Sequence, residues 1–82
     1  MEIHGSARRR RVSDEDISHA YDHTVAWLRL DDDPPRYLLA GPDRAGNLLE
    51  LVILAVEDDV LVIHAMALRS RTQLELFGDE TS

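Results

Sequence analysis

The longest apolar stretches of the chain lie in its second half, where two runs rich in Val, Ile and Leu flank an acidic tripeptide. The runs cover residues 47–56 and 60–67, with Glu57, Asp58 and Asp59 between them. Runs of this length and β-branched content, bounded by turn-forming residues, predict strands rather than helices. The acidic turn then predicts an antiparallel hairpin at the centre of the fold.

Side chains of a strand point alternately to the two faces of its sheet. In the first run both sets are apolar except for Glu50, which predicts a central strand that is covered on both faces. We therefore expect Leu51 and Ile53 to be fully buried. In the second run strict alternation places His64 on the same face as Val62, so that one histidine stands on an otherwise apolar surface.

The first half of the chain is divided by changes of hydrophobic period. Its predicted elements are an edge strand at 1–4, a basic helix within 5–11, a second helix from Ser13, and strands at 25–31 and 36–41. Ser13 is a favourable N-cap residue, and the acidic residues 14–16 suit the positive end of a helix dipole. Pro34 and Pro35 separate the two strands because proline interrupts helices and ladders alike.

Short connections favour antiparallel pairing between strands that follow one another in sequence. The predicted fold class is α+β, with two N-terminal helices packed on a four-stranded antiparallel meander. Residues 1–70 are predicted to form the single domain. The hydrophobic pattern weakens after Leu68, so residues 71–82 are predicted to be a C-terminal tail or a short helix.

Composition limits the classes of protein to which the chain can belong. Eighty-two residues build one small core, and the absence of cysteine excludes disulfides and thiolate metal sites. No apolar run reaches the roughly 20 residues of a membrane span, and the first residues lack the apolar core of a signal peptide. We expect a cytoplasmic domain. Because so short a chain has difficulty covering its apolar surface, we also expect a homodimer or a partner that adds a strand or helix.

The charge is acidic overall but unevenly distributed. The net charge is −7, all nine basic residues are arginines, and four of them are consecutive at 8–11. An acidic protein is a poor non-specific binder of nucleic acid. An arginine patch can nevertheless grip phosphate in bidentate fashion, or it can simply be a solvated basic face.

Glu15, His19 and His23 stand four residues apart on the second predicted helix. The outer two are separated by about 12 Å along a straight helix, so the three side chains do not share one ion. We therefore expect no metal site and no cofactor.

Several short motifs resemble those of BrnT-type toxins, which belong to the RelE-like superfamily of small bacterial toxin–antitoxin RNases. These motifs are Val-Ser-Asp-Glu-Asp-Ile at 12–17, Gly-Asn-Leu-Leu-Glu at 46–50 and Val-Ile-His-Ala-Met-Ala-Leu-Arg at 62–69. The order of elements is similar as well, and the resemblance extends to a group of small actinobacterial proteins labelled as toxins. Where BrnT sequences show Lys-His-Gly before Val-Ser, this chain has three arginines at 9–11.

The resemblance implies a RelE-like toxin that cleaves RNA without metal and is held inactive by a cognate antitoxin protein. In such a reaction the 2′-hydroxyl attacks the adjacent phosphate, which requires a proton acceptor, a proton donor and cations. His64 is the best acid or base, because histidine ordinarily titrates near neutrality. The remaining candidates are Arg69, Arg44 and Tyr37 in the catalytic set, and Arg9, Arg10, Arg11 and Arg36 as RNA-binding residues.

A second interpretation is a non-catalytic RelE-like module that binds a protein or oligomerises. In that case His64 is a half-buried strand residue that hydrogen-bonds a neighbour. The acidic balance of the chain favours this module, whereas the order of elements and the arginine cluster favour the RNase.

Overall fold

Five strands form one mixed sheet in the computed structural model, which describes residues 1–78. The strands are β1 (Glu2–Ile3), β2 (Ala26–Asp32), β3 (Pro35–Pro42), β4 (Leu48–Val56) and β5 (Asp59–Ala67). Their order across the sheet is β1-β5-β4-β3-β2. Strands β2 to β5 pair antiparallel in sequence order, and β1 lies parallel to β5. A 3-10 helix (Gly5–Arg8) and two α-helices, α1 (Asp14–Asp22) and α2 (Ser70–Phe77), complete the described chain.

The predicted central hairpin is confirmed as β4 and β5, which pair from Val56 and Asp59 at the turn to Leu49 and Ala67 at the open end. Leu51 has no exposed surface and Ile53 is also buried, as the two apolar faces of the first run predict.

One face of the sheet packs against α1 and the 3-10 helix, and we call it the helix face. Ile17 and Ala20 of α1 and Ala7 of the 3-10 helix are buried there against Leu39 and Leu51. Ser13 caps α1 as predicted, since its hydroxyl accepts a hydrogen bond from the Asp16 N–H at 3.1 Å. The core therefore lies between α1 and the three inner strands.

The other face, which we call the α2 face, carries Glu50 and the side chains in register with it. Ala40 on β3 and Met66 on β5 are the direct pairing partners of Glu50. Helix α2 returns across this face, because Arg69 hydrogen-bonds Glu50 and the helix contacts β2. The sheet is thus covered from opposite sides by its two α-helices.

The predicted fold class is wrong, because the sheet is mixed and five-stranded rather than a four-stranded antiparallel meander. The fifth strand, β1, lies in the segment predicted as an edge strand at 1–4, but it joins the sheet parallel to β5, where the His4 N–H donates to the Val62 carbonyl at 2.8 Å. Two residues at the very start of a chain carry too little periodicity to reveal such pairing.

The two predicted N-terminal helices are also wrong, since only α1 is an α-helix. The predicted basic helix is a 3-10 helix that ends at Arg8, and Arg11 adopts a positive φ of 60°. Four consecutive arginines offer no apolar stripe to hold a longer helix against the core. At the other end, the second α-helix follows the sheet, and the part of the predicted tail at 79–82 lies outside the described residues.

A β-bulge in β5 overturns the predicted alternation of that strand. Ile53 pairs with Val62 whereas Val52 pairs with His64, so Ile63 is an extra residue. Val62 therefore faces the core while His64 stands on the α2 face, which contradicts the prediction that they share a face. The hydroxyl of Ser6 donates to the carbonyl of Ile63 at 2.7 Å, so that a side chain of the 3-10 helix satisfies the bulge.

Candidate functional site

Four polar side chains meet on the α2 face, and we call them the Glu50 cluster: Glu50, His64, Arg69 and Thr72. Glu50 has no exposed surface. Its Oε2 accepts hydrogen bonds from His64 Nε2 and from Arg69 Nη2, each at 2.8 Å. Its Oε1 accepts from the backbone N–H and from the Nε of Arg69, each at 3.1 Å. Both carboxylate oxygens are thus fully engaged by cationic or N–H donors.

The pKa of Glu50 follows from two opposing influences. Burial raises it, but hydrogen bonds from the Arg69 guanidinium, the Thr72 hydroxyl, the His64 ring and the Arg69 N–H outweigh burial and lower it to about 2. The carboxylate is therefore ionised at neutral pH, and it is an acceptor in each of its hydrogen bonds.

Two local features assemble the Glu50 cluster. The bulge at Ile63 turns His64 onto the face of Glu50, diagonally across the β4–β5 ladder. Arg69 is the N-cap residue of α2 and has no side-chain cap of its own, and Thr72 is buried in the first turn of that helix. The carboxylate therefore lies at the start of α2, where the helix dipole also favours negative charge.

His64 is the residue of the cluster that could perform acid–base chemistry. Its Nε2–H is held by Glu50, and within residues 1–78 Nδ1 makes no hydrogen bond. The side chain is 30% exposed. A carboxylate that fixes the tautomer and orientation of a histidine is the arrangement that acid–base sites use. The charge of Arg69 is compensated by the same carboxylate, which leaves it less free to hold a phosphate.

The structure divides the predicted catalytic set. His64 and Arg69 meet at Glu50, but Tyr37 lies on the helix face, where it pairs with Ile53 across the β3–β4 ladder. Arg44 lies on the β3–β4 loop and is bound to Asp16 of α1 through Nε at 2.9 Å and through its backbone N–H at 3.0 Å. These bonds to Arg44 lower the pKa of Asp16 to about 2. Arg44 thus ties the loop to α1.

The predicted RNA-binding residues also fall into two groups. Arg9, Arg10 and Arg11 are exposed in the turn that follows the 3-10 helix. Arg36 is exposed on β3 and points to the α2 face, the same face as His64. His64 is on β5 and Arg36 is on β3, so β4 lies between them. Arg36 is two residues before Leu38, which is level with His64 across the sheet.

A second candidate site surrounds Trp27 on β2, the only tryptophan of the chain. Trp27 is 64% exposed, and its ring meets the edge of the Tyr37 ring at a centroid distance of 5.8 Å. The Arg29 guanidinium carbon lies 5.7 Å from the Tyr37 ring centroid, and its Nε is 2.9 Å from Asp32. The packed Tyr37 ring thus supports two side chains that reach into solvent.

An open groove of about 580 Å³ lies beside this aromatic pair, and we call it the Trp27 groove. It runs between the end of α1 and strands β2 and β3. Its principal lining residues are Tyr21, Asp22, Trp27, Tyr37 and Leu39. The floor is apolar and the rim at α1 carries a carboxylate.

Three residues of these sites, Glu50, Trp27 and Thr72, were not predicted from the sequence to be site residues. Glu50 was visible as a lone carboxylate in an apolar strand, but strict alternation placed His64 with Val62 and gave no reason to join it to Glu50. Trp27 was visible as a strand residue, and only the strand order shows that β2 is an edge strand. Thr72 carried no signal in the sequence.

Within residues 1–78 no group of three or more His, Asp or Glu side chains is arranged to hold a metal ion. In the same residues neither α-helix is long and apolar enough to cross a membrane.

Comparison with family models, curated proteins and solved structures finds no match to the chain.

Proposed function

We propose that this chain is a protein-binding module of the cytoplasm whose partner covers the Trp27 groove and strand β2. The observation that carries the proposal is the exposed cluster of Trp27, Tyr37 and Arg29. Tryptophan, tyrosine and arginine are the residue types enriched at the energetic centres of protein interfaces.

The surrounding surface supports the same function. Val25 and Leu30, next to and on β2, are further exposed apolar side chains, and Leu28 is exposed on the opposite face of the same strand. Exposed apolar side chains gathered on one edge strand are typical of an interaction site. Burying most of one indole, on the order of 150 Å² at about 25 cal/mol per Å², contributes about 4 kcal/mol to a complex.

A photo-crosslinker placed in the groove tests the proposal. We expect p-benzoylphenylalanine at position 27 to form a discrete covalent adduct with another protein in the cells that express the chain. The matched control is the same substitution at Leu74, an equally exposed apolar residue of α2 at 59%. Equal labelling at both positions, or none at either in folded protein, contradicts a binding site at Trp27.

The resemblance to BrnT-type toxins supplies a class for the partner, namely a cognate antitoxin. It also supplies a second candidate function, metal-independent RNA cleavage. The observation that favours this second candidate is the Glu50 cluster, where a buried carboxylate orients the partly exposed His64. In that reaction His64 exchanges protons with the 2′-hydroxyl or the leaving oxygen, and Arg69 or Arg36 meets phosphate.

The charge of the chain and the pairing of its arginines favour the binding module over RNA cleavage. Arg69 and Arg44 are each paired with a carboxylate, and the chain as a whole carries a net charge of −7. Acidic proteins repel the phosphate backbone, on which most affinity for RNA depends. An arginine that already neutralises a carboxylate stabilises the negative charge of a phosphorane less than an unpaired arginine would.

RNA cleavage in the presence of EDTA tests the second candidate. If His64 is the acid or base, His64→Ala lowers the cleavage rate by about two to four orders of magnitude, the usual contribution of one such group. His23→Ala is the matched control, because His23 is exposed on the far side of the sheet from the Glu50 cluster. Intact RNA after incubation with folded wild-type protein removes the enzyme and leaves the binding module.

A further inference from the structure

We propose that the partner contributes an extended segment that adds antiparallel to the open edge of β2, with apolar residues in its middle and Lys or Arg at its ends. This inference rests on the proposed function and identifies the kind of partner that the Trp27 groove receives. Its evidence is the free edge of β2 and the distribution of charge along that edge.

The edge of β2 is open over the residues that flank Trp27. In the part of the chain that the structure describes, β2 is the last strand of the sheet and pairs with β3 alone. Within residues 1–78 the backbone groups of 27–30 make no hydrogen bond outside that ladder. Regular pairing with β3 runs from Ala26 to Arg29 and becomes irregular between Arg29 and Asp31. A partner strand therefore has four regular residues along which to pair, about 13 Å.

Natural sheets protect such edges with prolines, lysines, bulges or inward charges. In β2 the protective features all lie at its end, in the irregular pairing and in the three aspartates at 31–33. The stretch 26–29 has none of them apart from Arg29, which is drawn toward Tyr37 and Asp32. At the opposite edge of the sheet, by contrast, β1 covers part of β5.

Carboxylates stand at both ends of this open stretch. Asp22 lies on the rim of the Trp27 groove at the end of α1, and Asp31, Asp32 and Asp33 are exposed after the other end. A bound segment with a basic residue at each end places positive charge beside both groups. Its middle residue on the helix face meets Trp27 and the apolar floor of the groove.

The same charges argue against a second copy of this chain as the occupant. Pairing β2 with another β2 antiparallel brings the aspartates at 31–33 of each copy close to Asp22 of the other, and each copy carries a net charge of −7. Like charges across an interface disfavour association. A basic partner experiences the opposite effect.

A random 12-residue peptide display library tests the inference. The library is selected on the whole chain, in parallel with Trp27→Ala and with Leu74→Ala as the matched control. We expect peptides that bind the wild type and the Leu74 variant at least tenfold more tightly than the Trp27 variant. The enriched sequences should have an apolar, β-branched middle flanked by Lys or Arg.

Three measurements on a synthesised enriched peptide complete the test. N-methylation of alternate amides in its middle should weaken binding at least tenfold, because it removes the ladder donors. Asp31→Asn together with Asp33→Asn should weaken binding about tenfold at low salt. Amide hydrogen exchange at residues 26–29 should slow when the peptide binds.

The opposite outcomes separate this inference from the proposed function. Trp27-dependent peptides that are acidic, or that bind equally well when N-methylated, overturn the basic strand while leaving the binding module in place. Self-association that requires Trp27, with no Trp27-dependent peptide, also overturns it and makes a second copy the occupant. The absence of both peptide binding and self-association contradicts the proposed function itself.

Discussion

Glu50 is a charged residue without exposed surface on a strand otherwise composed of apolar side chains. A buried carboxylate is tolerated only when cations and hydrogen-bond donors replace its water. Arg69 supplies a guanidinium and a backbone N–H, and His64 and Thr72 complete the shell. One side chain thus joins β4, β5 and α2.

Removing the charge of Glu50 should loosen all three elements. Glu50→Gln keeps the shape of the side chain but turns one acceptor oxygen into a donor that faces Arg69 or His64. We expect the free energy of unfolding in urea to fall by about 1–3 kcal/mol, the range for an unsatisfied buried group. Glu57→Gln, at an exposed turn residue, should change it by less than about 0.5 kcal/mol. Equal effects of the two substitutions would show that the shell of Glu50 contributes nothing to stability.

The same residue predicts a loss of stability in acid. The folded pKa of Glu50 is about 2 and its ordinary value is 4.5, so below pH 4.5 the unfolded chain takes up the proton more readily than the folded chain. The contribution of Glu50 is therefore complete above about pH 4.5 and is lost as the pH falls toward 2. Urea midpoints at pH 6, 4 and 3 should decline for the wild type and decline less for Glu50→Gln. Some decline persists in the variant, because Asp16 also has a lowered pKa.

Residue-level prediction from the sequence succeeded where burial alone decides the outcome. Leu51 and Ile53 are buried because a central strand of this composition has no other stable position. The hydrogen-bond partners of Glu50 could not be predicted from the sequence. They depend on one extra residue in β5 and on the side of the sheet to which α2 returns, and neither leaves a periodic trace.

At the scale of elements, α1 lies close against β3 at Gly41. Gly41 is buried on β3 and a Cβ at that position would lie 2.0 Å from the backbone carbonyl oxygen of Ala20. Glycine is therefore required there for close packing, because any side chain would push the helix away from the sheet.

Gly41→Ala should accordingly destabilise the protein by about 1–3 kcal/mol or more, the range for overpacking of a core. The clash is with backbone, so no rotamer change relieves it. Gly5→Ala is the matched control, since a Cβ there meets nothing within 4 Å. Thermal unfolding of the two variants checks the prediction, and a Gly41 variant as stable as the Gly5 variant would mean that α1 does not rest on β3 as described.

Elements with strong periodicity were predictable from the sequence, and those without it were predictable only in part. The four long strands and α1 correspond to predicted segments, because alternation, apolar runs and an N-cap serine mark them. The strand predicted at 1–4 and the helix predicted within 5–11 are found as the two-residue β1 and the 3-10 helix. Their short extent and the parallel pairing of β1 depend on long-range contacts, namely the bonds of His4 to Val62 and of Ser6 to Ile63. Such contacts follow from the packed fold and not from local preference.

At the scale of the whole molecule, a net charge of −7 opposes the association that the exposed surface around Trp27 favours. The homodimer expected from the short chain stays a prediction, and these two influences set its dependence on salt. Screening shortens the range of repulsion to about 3 Å at 1 M salt and leaves apolar burial intact.

We therefore expect the isolated chain to be monomeric at 20 mM salt and to self-associate as salt approaches 1 M. Light scattering measures the effect, and Trp27→Ala should abolish it. Binding of a basic peptide should show the opposite trend and weaken as salt rises. A dimer that is stable at 20 mM salt and indifferent to Trp27 would place the association surface elsewhere.

The extra residue at Ile63 acts on β5 in the way that an inserted nucleotide acts on a reading frame. Every side chain after it is displaced by one step in the alternation, so His64 meets Glu50 while Ala65 returns to the core. Deleting Ile63 would make His64 follow Val62 directly in a regular ladder, so both side chains would keep their present faces. If Ile63 were kept and the strand were regular, the imidazole would instead enter the space now filled by the methyl group of Ala65. The face that His64 occupies is therefore set by the bulge, and it cannot be read from alternation counted along the sequence.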